Sequence, residues 1–223
     1  MQEYSKDHIR QYEFASYNKK QYTGELFAED LCVASEDVSL DGVEADPGFH
    51  GEGLFNIADS QIKYGYKLFD KLYPASTTKV MTAYLALKYG NLDDVVTMSA
   101  TSTNFNWDES TCGLSAVDSL TLYDLICGLL LQSGNDCAAA IAEHISGSQE
   151  AFAELMNTEA KQLGATGTHF VNPHGLHDEN HYTTTYDLYL MFNEALKDQA
   201  FLDIISMNLS LIHISEPTRL LSI

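Results

Sequence analysis

A serine and a lysine stand three residues apart at Ser76 and Lys79, in the string Ser-Thr-Thr-Lys. On a helix, residues three apart share one face, so the Lys79 amine can reach the Ser76 hydroxyl. A serine hydroxyl is a poor nucleophile until a base removes its proton. A lysine serves as that base only where its surroundings lower its pKa towards neutrality. The pair therefore predicts nucleophilic catalysis through a covalent intermediate.

The Ser-x-x-Lys spacing alone does not identify a catalytic pair. Ser16–Lys19 and Ser60–Lys63 match the same pattern, and an ordinary polar surface pair accounts equally well for each match. Context distinguishes Ser76, because Pro74 precedes it and favours the start of a helix. Backbone N–H groups in a first helical turn lack partners, so this position can also stabilise an oxyanion.

A second polar group, Ser133-Gly134-Asn135, lies between two apolar segments. Gly134 permits a tight turn there. Functionally, Ser133 could relay a proton while Asn135 orients Lys79 or a substrate amide. The alternative is an ordinary loop with a helix cap, because Ser-x-Asn recurs in this chain, at Ser16, Ser102 and Ser206.

Three histidines occur in the polar stretch Asn172–His181. Imidazole and carboxylate groups are zinc ligands, so this stretch is a candidate metal centre. Pro173 and Gly175 exclude helical ligand spacing, and the chain has no His-Glu-x-x-His motif. We therefore expect no metal and no cofactor.

The elements that must position these residues are a strand hairpin followed by helices. Strand-like runs at Leu54–Ala58 and Ile62–Leu68 flank the turn residues Asp59–Gln61, and a shorter run is Leu31–Ala34. Periodic apolar residues predict five helices. The first begins at Ser76 and ends at Gly90. The other four span about Leu120–Leu131, Asp136–His144, Gln149–Leu163 and Thr185–Leu196.

Local signals refine the fourth of these helices. Ser146 followed by Gln149 predicts a capping box at its start, and Gly164 predicts its end. A hairpin followed by helices is an α+β pattern. Because two strands alone are marginally stable in water, we expect further strands to pair with the hairpin.

The composition excludes several partners. Twelve Lys or Arg against 32 Asp or Glu give 223 residues a formal net charge of −20. Nucleic-acid phosphates and anionic lipid both need clustered basic residues, so neither is expected to bind. No apolar run approaches the roughly 20 residues that span a bilayer, so we expect no membrane-spanning anchor within this sequence. Met1–Asn18 has no apolar core of a secretory signal.

The chain has 4 cysteines, which form no Cys-x-x-Cys pair and show no zinc-finger spacing. We interpret Cys127 and Cys137 as small buried apolar residues, because both stand in helical, apolar surroundings. A disulfide through Cys112 stays open.

Longer strings of the sequence resemble one known family. Tyr73–Ala83 resembles the nucleophile box of the low-molecular-mass penicillin-binding D-alanyl-D-alanine carboxypeptidases, and Ser133–Asp136 resembles their second box. Asn172–Leu176 and Tyr182–Leu188 continue the likeness, which covers residues 51–207 in order and at family-like spacing. In this family, the Asn-Pro-His-Gly-Leu segment is not a metal site.

The resemblance implies a β-lactamase/transpeptidase-like α+β fold, a helical cluster plus an antiparallel sheet that is incomplete in this chain. It implies an extracytoplasmic enzyme of the cell envelope that removes the terminal D-alanine of peptidoglycan stem peptides ending in D-Ala-D-Ala. Ser76 would form an acyl-enzyme with Lys79 as its base, while Ser133 and Asn135 would assist proton transfer and substrate positioning. β-Lactams, which mimic the dipeptide, would acylate Ser76 and act as inhibitors.

The sequence departs from the family in one respect, since it contains no Lys-Thr-Gly box. In the family this box lies on a downstream strand, where it supplies an oxyanion donor and the cation for the substrate carboxylate. Ala165–Thr168 contains Thr-Gly without the lysine and precedes the Asn-Pro-His-Gly-Leu segment. We therefore hypothesise a truncated reading frame that also lacks its true start. Residues 1–50 would be an acidic leader, residues 51–207 a partial catalytic domain, and residues 208–223, which resemble translated sequencing adapter, an unrelated tail.

Two alternatives remain. A serine β-lactamase of the same superfamily would carry a Glu-x-x-Leu-Asn loop, whose spacing Glu154–Asn157 does not fit. A non-catalytic module would keep the scaffold and only two boxes, and the absent third box favours this alternative for the chain as written.

Overall fold

The computed structural model describes residues 30–207. The tail expected at residues 208–223 and most of the leader expected before residue 51 therefore lie outside the described residues. The strands are β1 Glu52–Asn56, β2 Gln61–Tyr66, β3 Val95–Thr97 and β4 Ser119–Thr121. The helices are α1 Lys79–Tyr89, α2 Leu122–Leu131, α3 Asn135–Ser146, α4 Gln149–Gln162, α5 Thr185–Ala195 and α6 Gln199–Ile205, and a 3₁₀ turn at Ala75–Thr78 precedes α1.

The predicted hairpin is present as the antiparallel pair β1–β2. Glu52 pairs with Tyr66, and the register shifts between Leu54 and Phe55. The hairpin packs on α5, where the Phe55 ring stacks on Tyr189 with centroids 4.2 Å apart. The sequence predicts that further strands pair with this hairpin. Within residues 30–207, however, the sheet of the hairpin contains only β1 and β2, and β3 and β4 form a separate two-stranded sheet.

Helix α1 lies at the centre of the helical cluster and packs against α2, α3 and α5. Its buried face includes Met81, Ala83, Leu85 and Ala86. Each large apolar side chain removed from water in this way contributes about 1.5–3 kcal/mol. Gly90 ends the helix as predicted. A Cβ at this position would lie 2.2 Å from a methyl group of Leu122, so the packing favours glycine here. This packing fixes the N-terminal turn of α1, which carries Lys79.

The helix ends follow the expected chemistry with one correction. Gly164 ends α4 at φ +84° as predicted. The predicted cap at Ser146 is wrong, because Ser146 is still the last residue of α3. Ser148 caps α4 instead, and its hydroxyl accepts the N–H of Ala151. Gly147 separates the two helices at φ +82° and so allows the chain to reverse between them.

The segment before the hairpin differs from the expectation. Leu31–Ala34 forms no strand, and the sheet-like pairing is instead a single bridge between Val38 and Gly65. Cys32 is fully buried, and its backbone exchanges hydrogen bonds with the hydroxyls of Tyr186 and Tyr189. Cys32 and Val38 therefore attach this segment to α5 and to the hairpin.

The sequence patterns did not predict three short elements, namely β3, β4 and α6. Strands of 3 residues are too short for an alternation of apolar and polar residues to be recognised. None of the helices within residues 30–207 is long and apolar enough to cross a membrane.

Candidate active site

Ser76 occupies the 3₁₀ turn that leads into α1. Pro74 is the residue before this turn, and Ser76 itself is exposed at the surface. The first residue of α1, Lys79, places its Nζ atom 3.2 Å from Ser76 Oγ. The structure therefore joins a solvent-accessible hydroxyl to an amine on the same face of the turn, as the spacing predicts.

The Lys79 amine is buried, with the residue only 3% exposed, and three acceptors surround it. Besides Ser76 Oγ, it donates to Asn135 Oδ1 at 2.7 Å and to the carbonyl oxygen of His174 at 2.9 Å. Burial lowers the pKa of Lys79 to about 8, while the neighbouring Cys137 and Asp136 oppose this shift. At pH 7, about one amine in ten is therefore neutral and able to accept a proton.

Ser133 and Asn135 differ in how they contribute to the contacts around the Lys79 amine. Asn135 begins α3, is 4% exposed, and holds Lys79 through its side-chain oxygen. Ser133 has a φ of +58°, which is unusual for a residue other than glycine. Within residues 30–207, its hydroxyl has no protein hydrogen-bond partner, so its predicted proton relay stays a prediction.

Asp136, the last residue of the string Ser133–Asp136, supports the site in a way that the sequence patterns did not predict. Its carboxylate is almost fully buried and accepts backbone N–H groups of Cys112, Leu114 and Cys137. It thereby ties the loop at residues 110–114 to the first turn of α3. An acidic residue in a first helical turn was the signal available for it, because the helix dipole favours negative charge there.

The Asn172–Leu176 loop contacts Lys79 and Thr82 of α1 from the other side. Pro173 and His174 use their carbonyl oxygens to accept the Thr82 hydroxyl at 2.6 Å and the Lys79 amine. The Asn172 side chain accepts the N–H groups of His174 and Gly175, which shapes the loop. The stretch that was a candidate metal centre therefore contributes backbone carbonyls to the lysine site.

Two imidazoles beneath the turn are buried and make specific contacts. His181 Nδ1 accepts the N–H of Val171, so its Nε2 carries the proton and donates to Thr78 Oγ1 at 2.8 Å. His174 Nδ1 accepts the N–H of Leu176. Burial is the main cause that lowers the pKa of each imidazole to about 4. Both side chains are therefore neutral above about pH 5, which avoids further positive charge near Lys79.

Replacing Gly175 by alanine is expected to disrupt the packing of the Asn172–Leu176 loop against the 3₁₀ turn at Ala75–Thr78. Gly175 has a φ of +88°, and a Cβ there would lie 1.8 Å from the Ala75 carbonyl oxygen. The left-handed backbone costs about 1–2 kcal/mol for a residue with a Cβ, and the collision adds to this cost. Gly147→Ala is the matched control, because Gly147 has a φ of +82° with nothing within 4 Å of the added carbon. Urea denaturation should show a distinctly larger loss of unfolding free energy for Gly175→Ala than for Gly147→Ala. Equal losses would contradict the close contact between Gly175 and the Ala75 carbonyl.

Acid is expected to destabilise the fold through His174 and His181. The folded pKa of each, about 4, lies below its ordinary value of 6.5, so the unfolded chain binds protons first as the pH falls. Their stabilising contribution is complete above about pH 6.5 and is lost towards pH 4, on the order of 2 kcal/mol per histidine by pH 5.

Urea denaturation at pH 7 and pH 5 measures this effect. His181→Gln should reduce the pH dependence, whereas His50→Gln, at an exposed histidine, should leave it unchanged. A stability that stays constant between the two pH values would contradict the neutral burial of both imidazoles.

A family model described as D-alanyl-D-alanine carboxypeptidase matches residues 56–209 of the chain. The chain is similar to the D-alanyl-D-alanine carboxypeptidase DacF of Bacillus subtilis, with 36% identity over 61% of the chain and 36% of that relative. It is also similar to DacC of Escherichia coli, with 35% identity over 78% of the chain and 44% of that relative. The chain therefore spans less than half the length of these relatives.

Solved structures show the same similarity. A penicillin-binding protein homologue from Mycobacterium tuberculosis matches with a TM-score of 0.70 and 30% identity, over 76% of this chain and 65% of that one. Penicillin-binding protein 5 from Haemophilus influenzae matches with a TM-score of 0.59 and 36% identity, over 63% of this chain and 42% of that one. The helical cluster with small antiparallel sheets is thus an α+β, transpeptidase-type fold, as the resemblance implied.

Proposed function

The chain belongs to the D-alanyl-D-alanine carboxypeptidase family, and from this premise we propose that it is part of a serine-type hydrolase acting on peptidoglycan. The proposed reaction removes the terminal D-alanine from stem peptides that end in D-Ala-D-Ala. The observation that carries the proposal is the buried Lys79 amine, which bridges Ser76 and Asn135.

The first chemical step assigns Ser76 as nucleophile and Lys79 as general base. Ser76 Oγ attacks the carbonyl carbon between the two D-alanines while the neutral Lys79 amine takes the hydroxyl proton. The tetrahedral intermediate then collapses, the C–N bond breaks, and the proton passes to the leaving amine of D-alanine. Water hydrolyses the resulting ester and releases the shortened peptide.

The surrounding groups support this chemistry. Asn135 Oδ1 and the His174 carbonyl fix the Lys79 amine, so it needs no reorganisation when the proton moves. Ser133 is proposed to relay the proton to the leaving group, and Asn135 to help position the substrate amide. The first turn at Ser76 offers backbone N–H groups to the developing oxyanion.

We also propose where the protein acts, which compounds inhibit it and where its catalytic domain begins and ends. A stem peptide lies in the cell envelope, so the protein would act outside the cytoplasmic membrane. A β-lactam would be attacked at its ring carbonyl by Ser76 and would remain attached as an ester. The proposed catalytic domain includes residues 51–207, with residues 1–50 as an acidic leader and residues 208–223 as an unrelated tail.

A labelled penicillin followed by intact-mass and peptide analysis tests the proposal. A lasting adduct on Ser76 supports a carboxypeptidase, and release of D-alanine from a D-Ala-D-Ala peptide would support it further. Rapid turnover of the drug would instead identify a serine β-lactamase. A folded chain that forms no adduct would identify a non-catalytic module with the family's scaffold.

A further inference from the structure

Two cysteine thiols meet beside the candidate active site. Cys112, in the loop before β4, places its sulfur 3.5 Å from the sulfur of Cys137 in the first turn of α3. Cys137 is only 2% exposed, while Cys112 is partly exposed. The two cysteines are separated by 25 residues in sequence, so the fold rather than local geometry brings them together.

Two glycines leave the space that this sulfur pair occupies. A Cβ at Gly128, within α2, would lie 2.7 Å from the sulfur of Cys137 and 2.9 Å from that of Cys112. A Cβ at Gly134 would lie 2.8 Å from the Cys112 sulfur and 3.2 Å from the Cys137 sulfur. A glycine inside a helix is normally destabilising, so the close sulfurs supply a physical reason for Gly128. Neither position admits a larger residue while the sulfurs stay adjacent.

The same cluster contains three possible metal ligands, because the Asp136 carboxylate lies within 4.8 Å of both sulfurs. That carboxylate already accepts the backbone N–H groups of Cys112, Leu114 and Cys137. A metal ion would have to compete with these hydrogen bonds in a buried setting. The two sulfurs, in contrast, contact each other directly at 3.5 Å and need only a small approach to form a bond.

We propose that Cys112 and Cys137 form an intrachain disulfide that fastens the 110–114 loop to the start of α3. The oxidant is a disulfide-exchanging compound, R–S–S–R. The Cys112 thiolate attacks one sulfur of R–S–S–R, forms a mixed disulfide and releases one thiolate. The Cys137 sulfur then attacks Cys112 Sγ and releases the second thiolate. The two cysteine protons end on the two released thiols, the cysteine pair loses two electrons, and the oxidant gains them.

The order of attack follows from exposure and from the contact between the sulfurs. Cys112 is the accessible partner, and the thiol of Cys137 donates to its sulfur. This hydrogen bond is the main cause that lowers the pKa of Cys112, whereas the pKa of Cys137 is raised. Cys112 is therefore the first nucleophile and Cys137 the resolving thiol.

The bond would act on the active site through the first turn of α3. The Asn135 N–H already donates to the Ser110 carbonyl at 2.8 Å, and the Ser110 hydroxyl donates to the Gln132 carbonyl. A disulfide two residues from each end of this contact would hold the loop against the segment that carries Ser133 and Asn135. Its role is to position these residues, since neither sulfur contacts Ser76 or Lys79.

Alkylation of the 223-residue chain tests the proposal. The chain is treated with oxidised glutathione or with a reductant, then unfolded and alkylated with iodoacetamide. The reduced sample should carry adducts on all 4 cysteines, and the oxidised sample only on Cys32 and Cys127. Peptide mapping without reductant should recover a Cys112–Cys137 link. Four alkylated cysteines, a link through Cys127, or a lasting glutathione adduct on Cys112 would each overturn the proposal.

Cysteine and glycine variants and the addition of zinc provide further tests of the disulfide. Cys127→Ser, in the adjacent helix, should leave the link unchanged, while Cys112→Ser should abolish it. Oxidation should raise the melting temperature of the unsubstituted chain by about 5–10 °C, and that difference should vanish in Cys112→Ser. Gly128→Ala should lower the yield of the link despite its better helix propensity. If zinc chloride protects both thiols while oxidised glutathione leaves them unlinked, the pair is a metal site and the proposal is wrong.

Discussion

Replacing Ser76 by alanine is expected to abolish the covalent penicillin adduct and to reduce any D-alanine release on the order of 10⁴- to 10⁶-fold. The change removes the attacking oxygen but leaves the backbone turn and the Lys79 amine in place. Because Ser76 is exposed, the free energy of unfolding should change by less than about 1 kcal/mol. Intact-mass spectrometry after penicillin treatment measures the first effect, and urea denaturation measures the second.

Ser60→Ala is the matched control, because Ser60 and Lys63 show the same Ser-x-x-Lys spacing. In that pair, the Lys63 amine is held at the surface by Asp59 at 2.8 Å and by Gln61 at 2.5 Å. Ser60→Ala should therefore acylate at the rate of the unsubstituted protein. An adduct that persists in Ser76→Ala would show that another residue is the nucleophile.

Replacing Lys79 by arginine is expected to slow acylation of Ser76 by about 10²- to 10⁴-fold. Arginine keeps a positive charge near Ser76, but its pKa is too high for it to act as a base in neutral solution. Acylation by the unsubstituted protein should rise with pH, reach half its maximum near pH 8 and level off about one pH unit higher, because half of the Lys79 amines are neutral when the pH equals the pKa. The pH dependence of the penicillin acylation rate measures this directly, and Lys79→Arg should lose the rise.

A second substitution separates charge from shape at this position. Lys79→Met keeps most of the side-chain volume but removes the amine, and it leaves Asn135 Oδ1 and the His174 carbonyl without their donor. Acylation should fall as it does in Lys79→Arg. Lys63→Met, at the exposed pair, serves as the control and should leave acylation unchanged. A Lys79→Met protein that acylates at the unsubstituted rate would exclude Lys79 as the base.

The hairpin and the five predicted helices followed from local sequence patterns, because apolar periodicity and end signals act within one turn or one strand. Thr121 and Asp124 illustrate this, since they form a complete capping box at the start of α2. The wrong cap at Ser146 shows the limit of such signals. Two serines compete for the cap there, and Gly147 decides between them by ending α3 one residue later.

The short strands β3 and β4 and the buried position of Cys32 could not be recognised in the same way. Their stability comes from partners distant in sequence, such as Tyr189, which lies 157 residues from Cys32. The histidine-containing stretch is a further example. Its residue types suggested metal ligands, whereas the fold uses the carbonyl oxygens of Pro173 and His174, a contribution that side-chain identity does not encode.

By itself, the sequence determined that Ser76 and Lys79 lie close together, because a separation of three residues places both on one face of a helical turn. Only the tertiary structure decided that Lys79 is buried, which lowers its pKa to about 8. Asn135 and His174, which lie 56 and 95 residues from Lys79, supply the contacts that hold the amine. Desolvation and long-range hydrogen bonding arise only when separate elements pack, so residue spacing can indicate a base but cannot show that its proton is labile.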